Sequence, residues 1–95
     1  MKIVINKCYG VFGLSDKAKQ RLREMGYPIG PYGDINVYDL RRNNVLLVKV
    51  IEELGDLANG KYSKLKVVEI PDDVEWEIEE DNGIEWIAEK HRTWE

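Results

Sequence analysis

The residues best suited to holding a ligand gather near the two ends of the chain. Cys8, Tyr9, Gly10, Phe12, Gly13 and Ser15 lie close together near the start, and His91, Arg92 and Trp94 at the end. Tyr32 stands in a loop between them. Gly10 and Gly13 bracket Val11-Phe12, so the backbone can turn there through angles denied to other residues. Ser15 is placed to cap a helix that starts at Asp16, its hydroxyl accepting from a free N–H of the first turn. A glycine loop that feeds a helix start directs several main-chain N–H groups at one spot. The helix dipole favours an anion there, such as phosphate or carboxylate. The spacing Gly10-x-x-Gly13 matches neither a dinucleotide fingerprint nor a P-loop, so glycines needed only for the turn are the competing reading.

Arg92 is suited to gripping a phosphate with two parallel N–H donors, and Trp94 to stacking on a base. A frayed, uninvolved tail is the alternative. Residues 26–34, Gly-Tyr-Pro-Ile-Gly-Pro-Tyr-Gly-Asp, show no strand or helix period. They read either as a binding loop whose tyrosines stack on a flat ligand, or as a connector whose tyrosines cover the edge of the core. Cys8 with His91, or Ser15 with His91, has the residue types of a nucleophile and its base. No orienting third member announces itself, so the chain reads as a binding protein rather than an enzyme. Cys8 and His91 are also the only soft metal ligands, too few for a structural zinc site within one chain. No metal or cofactor is expected.

Ninety-five residues suffice for one domain, 1–95. A single cysteine excludes an internal disulfide, and no apolar run approaches the length a bilayer requires. With the apolar start interrupted at Asn6 and Lys7, which argues against a secretory signal, the expected setting is cytoplasmic. The net charge of −4 hides an asymmetry. Residues 1–50 carry nine Lys/Arg against four acids, +5, whereas residues 51–95 carry five against fourteen, −9. Opposite halves attract within a fold or between copies of a homo-oligomer, while the acidic half counts against broad nucleic-acid binding.

The elements that must position these residues follow from periodicity. Ile3, Val4 and Ile5 are β-branched at consecutive positions, the mark of a strand covered on both faces. Ala18, Leu22 and Met25 form one helical stripe, which Gly26 closes. Residues 35–38 alternate like a short edge strand. Asn43 and Asn44 are N-cap candidates for a second helix over residues 45–58, with Leu47, Val50, Ile51, Leu54, Leu57 and Ala58 on its apolar face. Residues 64–70 form the next strand. In residues 74–80, Val74, Trp76 and Ile78 face one way and Glu75, Glu77 and Glu79 the other, so one face is buried and one wet. Asp81-Asn82-Gly83 supplies a hairpin turn, and residues 84–89 return antiparallel. Glu85 and Glu89 are read with the other strand carboxylates as solvent-facing. The order predicts an α+β fold: one mostly antiparallel sheet of about four strands with two helices packed on one face.

The segments KIVINKCYGVFGLS (2–15) and VVEIPDDVEWEIEE…GIEWIAEKHRTW (67–94) resemble an uncharacterised family of small proteins encoded by bacteriophages and prophages. The similarity reaches both ends and is weakest over residues 27–40. Relatives often carry a second glycine where this chain has Val11, and a proline where it has Val45. The resemblance implies a phage-related setting in the host cytoplasm and action by binding. Capture of a small nucleotide-like ligand in counter-defence is the leading expectation. Inhibition of a host protein through the acidic sheet face is the other.

Overall fold

The computed structural model describes residues 1–30, 35 and 40–89. It is an α+β fold with the predicted order: β1 (Lys2–Asn6), α1 (Asp16–Glu24), α2 (Val45–Leu54), a 3₁₀ turn (Gly55–Ala58), β2 (Leu65–Glu69), β3 (Trp76–Asp81) and β4 (Ile84–Glu89). The expected edge strand at 35–38 lies, apart from Ile35, outside the described residues.

The strands form two antiparallel pairs instead of the single expected sheet. β1 runs against β2, with Lys2 opposite Glu69 and Asn6 opposite Leu65. β3 pairs with β4, with Trp76 opposite Glu89 and Asp81 opposite Ile84. β4 lies against β1 without joining its ladder. The reason is visible on the outer edge of β1. There the Val4 N–H donates to the Arg42 carbonyl at 2.8 Å, and the Asn6 N–H donates to the Glu85 carboxylate at 2.7 Å. With a neighbouring loop and a side chain holding those donors, the edge has no open row left for β4.

Ile3, Val4 and Ile5 are buried, as a strand covered on both faces requires. α2 packs on β1 and β2, and α1 packs on α2 and the 3₁₀ turn. Val4, Ala18, Leu22, Leu47, Val50, Ile51 and Ala58 meet in the core between them. Ser15 caps α1 by accepting from the Ala18 N–H, and Asn44 caps α2 through the Leu46 and Leu47 N–H groups. The second helix is shorter than its apolar pattern suggests. Gly55 takes φ 57°, a left-handed angle that ends the α-helix at Leu54. The change of geometry keeps Ala58 buried but turns Leu57 outward.

β3 and β4 are joined by Asn82 and Gly83, both at positive φ (52° and 93°), the signature of a tight hairpin turn. Along β3, Trp76 and Ile78 are half-buried, whereas Glu77 and Glu79 are exposed, as alternation requires. Trp86 sits across from Glu79 and donates its indole N–H to that carboxylate at 3.0 Å. Glu85 departs from its expected place in solvent: it is 7% exposed. Register explains this, because Glu85 lies opposite Glu80 and so shares a face with the Ile78–Ile87 pair.

Candidate functional site

The end of β1 is a junction where three parts of the chain meet on one amide. Asn6 is fully buried. Its Oδ1 accepts from the N–H groups of Lys64 (2.9 Å) and Cys8 (3.3 Å). Its Nδ2 donates to the carbonyls of Gly83 (2.9 Å) and Cys8 (3.1 Å). The chain leaving β1 and the hairpin turn are thereby tied together. Gly10, at φ 133°, adds an N–H donated to the Asn82 carbonyl at 3.1 Å. Contact is so close that a Cβ built on Gly83 would lie 1.7 Å from the Gly10 carbonyl oxygen.

Beside this junction, Arg42 and Glu85 form a forked ion pair, Nη1 to Oε1 at 2.5 Å and Nη2 to Oε2 at 2.9 Å. Nη1 also reaches the Val4 carbonyl at 3.4 Å, so three of the five guanidinium donors are engaged. The guanidinium carbon stands 3.6 Å from the Phe12 ring centroid, a cation–π stack with much of its surface removed from water. Among the described residues, no buried side-chain polar atom lacks a partner. The buried side-chain polar groups of the corner are therefore all hydrogen-bonded, which stiffens it.

This scaffold borders a cleft of about 260 Å³. Gly10, Val11 and Phe12 form one wall, Leu40 and Arg42 another, and Glu80, Gly83 and Glu85 of the hairpin the third. Tyr9 and Val11 stand at the corner, 72% and 67% exposed. Since Glu85 neutralises Arg42, Glu80 leaves the described wall residues with one net negative charge. A phosphate seated in the cleft itself would be repelled.

The predicted site residues divide. Gly10 and Phe12 line the cleft, and Cys8 and Tyr9 lead into it. The Cys8 thiol is half-buried, with its sulfur 3.4 Å from the Tyr9 carbonyl. Gly13 and Ser15 belong to a different seam. The Gly13 carbonyl accepts from the Gly60 N–H (3.1 Å) and the Ser63 hydroxyl (2.7 Å). Ser15 donates its hydroxyl to the Leu57 carbonyl (2.6 Å) and its N–H to the Ala58 carbonyl (2.9 Å). The expected convergence of free main-chain donors is thus partly used up: Gly10, Ser15 and Ala18 spend their N–H groups inside the protein. Tyr32, His91, Arg92 and Trp94 lie outside the described residues. Tyr27, from the Gly/Pro/Tyr loop, packs against the core and so follows the connector reading.

Sequence reasoning missed Arg42, Glu85 and Asn6. A signal for Glu85 existed, since counting outward from Asn82-Gly83 places Glu85 beside Ile87 on the apolar face. Arg42 sits in an irregular stretch, and nothing in its neighbours marks it. A second hollow, about 510 Å³, is bordered by Val45, Val48 and Lys49. Its other charged walls already pair, Lys2 with Glu52 at 2.9 Å and the Met1 ammonium with Asp72 at 2.5 Å. That leaves little to orient a ligand. No cluster of three or more potential metal-ligating side chains occurs among the described residues, and none of their helices is long and apolar enough to cross a membrane. Comparison with protein-family models, with curated proteins and with solved structures gives no match.

Proposed function

We propose that this protein acts by binding, capturing a small phosphate-bearing, nucleotide-like molecule at the corner where β1 leaves the sheet. The observation that carries this reading is the cleft built on residues 10–12. There a glycine turn, the Phe12–Arg42 stack and the exposed Tyr9 ring are presented together by a scaffold with no slack. Aromatic surface and a planar guanidinium are what a flat heterocycle packs against. In this reading the phosphate falls outside the acidic cleft, on remaining N–H groups of the 10–15 loop; Arg92, which lies outside the described residues, is the residue type suited to complete its grip. The family resemblance stated from the sequence implies a phage-related setting in the host cytoplasm, and we propose counter-defence as the use of this capture. Isothermal titration against a panel of mono-, di- and cyclic nucleotides tests the proposal. A saturable heat with at least one of them is expected, and silence across the panel would overturn it.

A second reading rests on the β3–β4 hairpin. Residues 71–89 contain nine acids and no Lys, Arg or His. All but Glu85 are exposed, and Trp86 stands 40% exposed among them. Such a ribbon suits a basic protein surface and would inhibit a host protein by imitating its anionic partner. Reversing Glu75, Glu77 and Glu79 to lysine is expected to abolish capture of any host protein that binds here. Capture unchanged by reversal removes this reading.

A further inference from the structure

Resting on the nucleotide reading above, we infer that the corner cleft receives the base of the ligand, and specifically a base bearing an exocyclic amine, which Glu80 reads. About 260 Å³ falls just below the roughly 300–1,000 Å³ usual for a pocket that encloses a whole ligand, so the cleft takes one part of a nucleotide. Charge decides which part. Among the described residues of the walls, the only positive group is Arg42, already paired through both its Nη atoms with Glu85. Glu80 adds a carboxylate that nothing on the cleft's own walls neutralises. Phosphate is excluded from such a place, whereas a neutral ring carrying N–H donors is favoured.

The geometry agrees with the charge. Glu80 and Glu85 face each other across the hairpin and both line the cleft. Glu85 is consumed by Arg42 and the Asn6 N–H. Glu80 is exposed, and its Oε2 accepts from the Gly83 N–H at 3.0 Å, which orients the carboxylate from within the turn. Its Oε1 remains as an acceptor for an incoming donor. In the same cleft, the forked Arg42–Glu85 pair stacked on Phe12 is planar and neutral overall, a platform for a ring. A carboxylate acceptor rewards an amino group and rejects a ring that offers only lone pairs at that edge.

The test compares AMP and GMP with purine riboside 5′-monophosphate, which lacks any ring substituent, and with ribose 5-phosphate, by titration of the full chain. AMP or GMP is expected to bind at least about tenfold more tightly than purine riboside 5′-monophosphate, and ribose 5-phosphate not measurably. Glu80→Met is expected to erase the preference for the amine. Glu80→Gln, which keeps a carbonyl acceptor and the hydrogen bond to Gly83, is expected to restore part of it. Equal affinity for amino and unsubstituted purines, or for ribose 5-phosphate, overturns the base assignment while leaving nucleotide capture standing. Failure of every one of these probes and of the wider nucleotide panel overturns both.

Discussion

Gly83→Ala is expected to destabilise the protein by about 3 kcal/mol, which for a chain of this size lowers the melting temperature by roughly 12–24 °C. Two costs combine. Alanine at φ 93° enters a region that L-residues avoid by about 1–2 kcal/mol. Its methyl would also fall 1.7 Å from the Gly10 carbonyl oxygen and 2.5 Å from the Gly10 nitrogen, both backbone atoms that cannot swing aside. The loop must therefore leave the hairpin, breaking the Gly10–Asn82 and Asn6–Gly83 hydrogen bonds. Gly26→Ala is the control. Gly26 has the same φ of 93°, but a methyl there meets nothing within 4 Å, so only the backbone cost of about 1–2 kcal/mol applies. Urea unfolding of both variants separates the terms. Equal losses would mean that hairpin and loop are not in contact in solution.

Removing Glu85 is the other large effect. In Glu85→Ala, Arg42 keeps its place between Phe12 and Val4 without a counter-ion, and the buried Asn6 N–H loses its acceptor. Breaking one side of a buried pair costs about 3–5 kcal/mol. The lower end applies here because the Arg42 side chain retains 21% of its exposure. The double variant Arg42→Met, Glu85→Leu is expected to lie closer to wild type than Glu85→Ala alone, since no charge is then stranded. A Glu85→Ala protein within about 0.5 kcal/mol of wild type would show that the pair does not hold the two sheets together.

These effects explain which parts of the molecule could be read from residues alone. The hairpin was legible because one local signal, Asn82-Gly83, fixes both its turn and its register. The first helix and its Ser15 cap were equally local. The four strands were expected in one sheet because alternation says which face a strand buries but not which edge it offers. Whether β4 extends the β1–β2 ladder depends on Arg42 and Glu85, which lie 43 residues apart. No periodicity encodes that meeting. The end of α2 was overrun because its apolar spacing continues past Gly55, and only the backbone angle at that glycine breaks it. The glycine loop turns where its sequence predicts, yet the Gly10 and Ser15 N–H groups serve the protein's own seams, a division set by distant Ala58 and Asn82.

Amide chemical shifts of the ¹⁵N-labelled protein, followed during titration with AMP and GMP, test nucleotide capture at the corner most directly. Saturable changes concentrated at Gly10, Val11, Phe12, Gly83 and Glu85, with the amides of α1 and the middle of β2 undisturbed, are the predicted result. A spectrum that does not move at the corner, or moves only at residues remote from it, would contradict the account.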